Sequence, residues 1–133
     1  MRYAGHNILA IAVAAIVMYA LGAAIYGFLF SAQWQAATGF NEADYAGLEW
    51  RMALSPVMPI LIATGLSIVQ KWRNQSGMTA GAVAGFVIAL VFLVAGRLYS
   101  FVYSAESEIV LAIDALHLFL IAIVGGAIIG AWK

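Results

Sequence analysis

Three ionisable side chains lie within two long apolar stretches near the end of this 133-residue chain. Asp114 and His117 are three positions apart, so a helix places them on one face, one turn apart. Arg97 and Asp114 lie about equally far from the turn near residues 105–106, so an antiparallel hairpin brings both to the same depth. A guanidinium and a carboxylate can then pair, in a bidentate geometry if the side chains allow it.

Charges inside a bilayer are costly, at about 2.5–3.5 kcal/mol each on insertion scales, and they often mark functional sites. The pair formed by Arg97 and Asp114 therefore has two interpretations that the sequence leaves open. It is a clamp that holds two helices together, or it is part of a site that contacts a ligand or an ion. His117 likewise is either a satisfied interior residue or a group that carries protons.

The preceding apolar stretch adds Pro56 and Pro59, which we expect to kink a helix and free the carbonyls of Met52 and Ser55. Carbonyls freed at membrane depth need donors, and the guanidinium of Arg97 could supply some of them. We therefore predict a polar layer of ligand-contacting or ion-pathway residues. Its members are Arg97, Asp114, His117, Ser55 and Tyr99, with Tyr103 flanking it and Tyr26 and Glu49 at its rim.

Other kinds of chemistry have little support in the sequence. The chain has no Cys, which excludes thiolate metal sites and cysteine nucleophiles. His6 and His117 are expected at opposite faces of a membrane, so one chain cannot offer both to one haem iron. We predict no catalytic residue, no metal site and no cofactor. A lipid-directed enzyme with His117 as base and Asp114 orienting it remains the least supported alternative.

The composition indicates that these residues lie in a membrane protein. Hydrophobic residues make up 65% of the chain and charged residues only 9%, whereas soluble domains carry about a quarter charged residues. The formal net charge is zero, which gives no reason to expect nucleic acid as a partner. We expect residues 1–133 to form a single integral membrane domain in contact with the lipid bilayer.

Four stretches are long enough to cross a bilayer core, which requires roughly 20 helical residues. They are residues 7–30, 51–71, 79–103 and 108–131. The first is longer than the apolar region of a signal peptide, so we expect it to be retained. The first connection contains Asn41, a good N-cap, followed by acidic residues, and this pattern predicts a short helix on the membrane surface. The predicted fold is therefore an all-α bundle of four transmembrane helices with a short interfacial helix.

The distribution of charge predicts which side each end faces. Arg2, Lys71, Arg73 and Lys133 fall at one face of a four-span chain, and Lys and Arg mark the cytoplasmic side. We therefore expect a multi-pass protein of the cell inner membrane with both termini cytoplasmic. The acidic residues outside the spans fall at the other face.

Small residues repeat four positions apart in "GAVAG" (81–85) and "GAIIG" (126–130). Such patterns let helix backbones approach closely within a membrane. The sequence does not decide whether they pack helices within one chain, in a homo-oligomer, or against a partner membrane subunit.

The stretch "LGAAIYGFLFSAQWQAATGF" resembles a bacterial family of small four-span membrane proteins catalogued as a domain of unknown function. The family pattern is a Gly, a Trp-Tyr pair, an aromatic residue, a Trp and a Gly. Gly22, Tyr26, Phe30, Trp34 and Gly39 match it, whereas Ile25 replaces the usual Trp. The resemblance implies a four-span topology and no particular substrate.

Taken together, these features predict a small membrane protein for transport, permeation or membrane-embedded ligand binding through the polar layer. The alternative is a non-catalytic accessory or structural subunit that fills or stabilises a larger membrane complex. Whether the protein is an enzyme stays open, with the balance against it.

Overall fold

The computed structural model describes residues 2–132 and contains four helices that are long and apolar enough to cross a membrane. They are Ile8–Leu29, Glu49–Trp72, Met78–Ser104 and Glu108–Ala131, hereafter the first to fourth spans. This confirms the all-α bundle and the multi-pass character predicted from the sequence. The first connection and the turn near residue 105 lie at one end of the bundle, the connection end. The terminal end carries the N-terminal residues, residues 73–77 and Trp132.

The first span is built from two kinds of helix. Helix α1 (Ile8–Ala24) begins at Asn7, whose side chain accepts a hydrogen bond from the backbone N–H of Ala10. It continues into a π-helical turn at Ile25–Leu29. Before it, the strands β1 (Arg2–Tyr3) and β2 (His6–Asn7) form a small antiparallel hairpin that the sequence analysis did not predict.

The first connection contains a short helix, but that helix ends before the position at which one was predicted to begin. Helix α2 (Ser31–Thr38) ends at Gly39, which adopts a left-handed conformation (φ 65°) that glycine tolerates best. Asn41 does cap a helix by accepting from the N–H of Ala43, yet this is only one 3₁₀ turn, Glu42–Tyr45. Gly47, with a φ of 81°, separates that turn from the second span.

The second span starts with a 3₁₀ segment (Glu49–Leu54) and continues as α3 (Val57–Trp72). The predicted position of the prolines inside a helix is wrong, because Pro56 precedes α3 and Pro59 lies in its first turn, where backbone N–H groups have no helical partner to lose. The carbonyl of Met52 accepts from both the N–H and the hydroxyl of Ser55, at 3.0 and 2.7 Å. Arg97 is therefore not needed as a donor there.

The third span comprises α4 (Met78–Ile88), a π-helical segment (Ala89–Val94) and α5 (Ala95–Ser104). The fourth span is one helix, α6 (Glu108–Ala131), capped by the hydroxyl of Ser107, which accepts from the N–H of Ile109. A tight turn with Ala105 in a left-handed conformation joins the two spans as an antiparallel hairpin.

Helices α4 and α6 pack backbone against backbone. A Cβ added at Gly81 or Gly85 would collide with the carbonyl of Gly126 or Ala122, and one added at Gly126 would collide with Gly81. The small-residue patterns thus join two helices of the same chain. They therefore give no support for a homo-oligomer.

The apolar core lies where α1, α3 and α6 meet, around Met18, Leu66 and Ile121. Two polar side chains are buried nearer the terminal end, Ser67 and Gln70. The amide of Gln70 donates a hydrogen bond to the backbone carbonyl of Gly126 in α6 at 3.0 Å. The missing side chain of Gly126 leaves this carbonyl open to Gln70. This core packs the first, second and fourth spans against one another.

Candidate functional site

Arg97 lies between two carboxylates at the connection end. Its Nε donates to Oδ2 of Asp114 at 2.5 Å, and its Nη1 forms an ion pair with Glu106. The side chains of Arg97 and Asp114 are each 17% exposed, so the pair is largely removed from solvent. The predicted pairing of third and fourth spans at one level is therefore confirmed. The geometry is not bidentate, because the guanidinium divides its donors between two partners.

Glu106 is a member of this site that the sequence analysis missed. It lies in the tight turn between the third and fourth spans and was assigned only to the surface. The signal was its position, since a carboxylate nine residues after Arg97 can fold back over the last two turns of α5. A long arginine side chain within a span can extend its guanidinium toward the membrane surface, where Glu106 lies.

Tyr26 connects the ion pair to His117. Its hydroxyl donates to Oδ1 of Asp114 at 2.5 Å and lies 3.4 Å from Nδ1 of His117. The rings of Tyr26 and His117 meet edge to face, with centroids 5.1 Å apart. The sequence analysis placed Tyr26 at the rim, whereas the structure places it at the centre. Tyr26 belongs to the π-helical turn of the first span, a rare geometry that often occurs at functional sites.

A row of aromatic rings extends from Tyr26 into the first connection. Tyr26 contacts Trp34, Trp34 contacts Phe40 and Phe40 contacts Tyr45, with centroid distances of 6.0, 5.7 and 5.0 Å. Aromatic pairs of this kind add to the stability that burial alone provides. The row therefore ties α2 and the following 3₁₀ turn to the polar cluster.

His117 also faces a cavity of about 380 Å³ between the first, second and fourth spans. A Cβ added at Gly22 would lie 3.0 Å from Nε2 of His117, so Gly22 leaves the room that the imidazole needs. Within residues 2–132, no hydrogen bond engages Nε2 of His117. The other lining residues are mostly apolar: Met18, Tyr19, Ala23, Tyr26, Met52, Ser55, Met58, Pro59, Ile62, Leu118 and Ile121.

Ser55 and Tyr99, the other two predicted members of the layer, lie elsewhere. The hydroxyl of Ser55 is 3.1 Å from that of Tyr19 and lines the cavity, but it does not contact the ion pair. Tyr99 is 71% exposed and packs on Tyr103, with centroids 4.8 Å apart. Glu49, predicted at the rim, instead accepts from the N–H of Gly47 at the start of its own span.

The site therefore has two chemically different parts. Arg97, Glu106 and Asp114 satisfy one another and join the third span to the fourth. Tyr26 and His117 lie between this ion cluster and an open cavity, and Nε2 of His117 faces the cavity. In the described part of the chain, no three His, Asp or Glu side chains come together as a metal site would require.

Comparison with curated proteins and with solved structures finds no match. A protein-family profile, in contrast, matches residues 9–130, which include every residue of the site and all four spans except the first residue of the first span and the last residue of the fourth. The family is described only as proteins of unknown function. On this match, and in agreement with the resemblance seen in the first span, the chain belongs to the DUF1761 family.

Proposed function

We propose that this membrane protein binds a small amphiphilic molecule in the cavity between its first, second and fourth spans. The observation that carries the proposal is Nε2 of His117, which lies beside Gly22 at an open apolar cavity while Nδ1 faces Tyr26. A polar atom at membrane depth gains free energy from a hydrogen-bonding partner. A ligand could supply that partner.

The headgroup that best fits this nitrogen is an uncharged hydroxyl. Depending on its tautomer, Nε2 of His117 either donates or accepts, and a hydroxyl can meet both cases because it does both. An uncharged group also costs less to bring to membrane depth than an ion does. We therefore favour an alcohol or a phenol over a carboxylate or an amine.

The rest of the cavity suits an apolar body. Met18, Met52 and Met58 line it, and unbranched methionine side chains adapt to ligands of varied shape. Met52, Met58 and Tyr19 are exposed at its rim, on the apolar surface of the spans. A ligand could therefore enter sideways from the lipid.

We assign a positioning role to the ion cluster. Asp114 holds the hydroxyl of Tyr26, and Tyr26 packs on His117, so the cluster sets the orientation of the imidazole. A transport pathway through the same layer is the other possibility raised by the sequence. We favour binding because Glu106 and Asp114 both engage the guanidinium of Arg97, which a passing solute would have to displace.

We further propose that the protein resides in the cell inner membrane with both termini in the cytoplasm. The support is the position of Arg2, Lys71 and Arg73 at the terminal end and the rule that Lys and Arg face the cytoplasm. The binding cavity would then open toward the outer half of the bilayer.

Photolabelling tests the proposed binding. The probe is an alkylphenol with a diazirine on its alkyl chain, added to the protein in phosphatidylcholine nanodiscs. We expect mass spectrometry to locate the label on first- and second-span peptides that line the cavity, and an excess of unmodified alkylphenol to compete. Ala23→Leu fills the cavity, so it should reduce labelling several-fold.

Ala20→Leu is the matched control, because Ala20 is also an exposed alanine of α1 but does not line the cavity. It should label like the wild type. Equal labelling of the two variants, or label spread evenly over all four spans, would show that the phenol only partitions into lipid. An accessory or structural subunit would then be the better description.

A further inference from the structure

The terminal end of the bundle holds a second, separate feature, in which the N-terminal hairpin is fastened over the helix ends. Nζ of Lys71 donates to the carbonyl of Ala4 at 2.6 Å. Nδ1 of His6 lies 2.9 Å from the hydroxyl of Ser67, and the amide of Asn7 donates to the carbonyl of Trp132. The hairpin is thus held by the second span and by the end of the fourth.

A small polar cavity of about 90 Å³ lies between the hairpin and these helix ends. One water needs about 10–15 Å³ by a comparable measure, so the cavity has room for a group of several heavy atoms. Its lining combines the cations of Arg2 and Lys71 with the neutral polar side chains of Asn7, Ser67 and Gln70, and Gly5 and Ile129 complete it.

Gly5 allows a cation to lie at this cavity. A Cβ added there would be 3.0 Å from Nζ of Lys71, and the φ of Gly5 is 82°, a conformation that other residues rarely adopt. The ammonium of Lys71 has three donors, of which Ala4 takes one. Among residues 2–132 no other group accepts from this ammonium, so two donors are left for a ligand or for water.

No acidic side chain balances these cations. All six Asp and Glu residues of the chain belong to the first connection, the tight turn or the connection-end half of the fourth span: Glu42, Asp44, Glu49, Glu106, Glu108 and Asp114. Within residues 2–132, neither Arg2 nor Lys71 forms an ion pair. Arg73 adds a third positive charge to the same end.

We propose that Arg2 and Lys71 bind a phosphate group in this cavity, carried by an anionic lipid headgroup or free in solution. The forked donors of arginine match phosphate oxygens, and lysine acts beside it as a point charge. Basic residues at the cytoplasmic surface attract anionic lipids. The site is independent of the amphiphile cavity, because the two lie at opposite ends of the bundle.

Native mass spectrometry of protein released from nanodiscs tests this site. The nanodiscs contain phosphatidylcholine with a minor fraction of phosphatidylglycerol, and retained lipid is counted by headgroup. We expect the wild type to retain phosphatidylglycerol preferentially. Arg2→Gln and Lys71→Gln should each weaken retention several-fold more than the loss of a surface charge alone does, because each removes a donor that lines the cavity.

Arg73→Gln is the matched control, since it removes the same charge at the same end but does not line the cavity. Retention that falls equally in all three variants overturns the proposal, and so does a lack of preference for phosphatidylglycerol in a wild type that inorganic phosphate does not stabilise either. Lys71→Gln also removes the hydrogen bond to the carbonyl of Ala4. If that variant does not fold, the result for Arg2→Gln alone decides the test.

Inorganic phosphate at millimolar concentration, added to protein in phosphatidylcholine nanodiscs, distinguishes a lipid headgroup from free phosphate as the ligand. Stabilisation of the wild type but not of Arg2→Gln supports a site for free phosphate.

Discussion

Gly22 and His117 face each other across the contact between the first and fourth spans. An alanine at position 22 would place its Cβ 3.0 Å from Nε2 of His117, closer than a comfortable contact. The imidazole would have to shift, and its packing on Tyr26 would change. The absence of a side chain at position 22 thus supports the geometry on which the proposed binding depends.

Gly22→Ala should therefore reduce alkylphenol photolabelling of the cavity several-fold while the bundle still folds. The measurement is the labelling yield, together with circular dichroism to confirm helicity. Gly65→Ala is the control, because Gly65 also lies within a helix but has open space around its Cβ position. Unchanged labelling in Gly22→Ala would show that His117 does not contact the ligand.

The sequence predicted the pair formed by Arg97 and Asp114 because both charges lie inside apolar spans, where partners are required. It could not predict Tyr26 as the link, because a single tyrosine in an apolar helix also fits a place at the membrane surface. The π-helical turn that contains Tyr26 depends on tertiary packing, which periodicity does not reveal. Tyr99 was placed in the polar layer because it is close to Arg97 in the sequence. Two residues apart on a helix, however, the two side chains point in different directions, and Tyr99 is exposed.

At the level of helices, the contact between α4 and α6 is the closest in the bundle. In lipid, helices gain little from hydrophobic burial, so close backbone packing contributes much of their association. Gly85 lies directly against the carbonyl of Ala122, and neither backbone can move aside without separating the helices.

Gly85→Ala should destabilise the protein by about 1–3 kcal/mol, the usual range for overpacking a close contact. Reversible unfolding in mixed detergent micelles, followed by circular dichroism, measures the change. Gly96→Ala in the same span meets no atom within 4 Å and should be neutral or stabilising by up to about 1 kcal/mol. Similar losses in both variants would mean that the contact does not hold the bundle together.

Element boundaries show where sequence reasoning worked and where it failed. The long apolar stretches predicted all four spans, because an uninterrupted run of about 20 apolar residues has few stable structures other than a membrane-spanning helix. The prolines were misread because Pro56 and Pro59 were assumed to lie inside a helix that the 51–71 stretch defined. The apolar run already begins at Met52, within the 3₁₀ segment, so hydropathy could not reveal that α3 begins only at Val57.

For the molecule as a whole, the two proposed sites lie at ends of the bundle that carry opposite charge. The connection end contains the carboxylates and the amphiphile cavity, and the terminal end contains Arg2, Lys71 and Arg73 without an acidic side chain. If the terminal end faces the cytoplasm, the phosphate site meets the leaflet with the more negative surface potential. Orientation therefore decides from which leaflet the phosphate site draws a lipid ligand.

The chain has no Cys, so single-cysteine variants report orientation without background. Ala46→Cys lies exposed in the first connection, and Ser76→Cys lies exposed at the terminal end. In intact cells, or in spheroplasts where an outer membrane is present, a membrane-impermeant maleimide should label Ala46→Cys directly. It should label Ser76→Cys only after the membrane is permeabilised, because positively charged ends remain cytoplasmic. The opposite pattern would place Arg2 and Lys71 outside, so the phosphate site would have to draw its ligand from the outer leaflet.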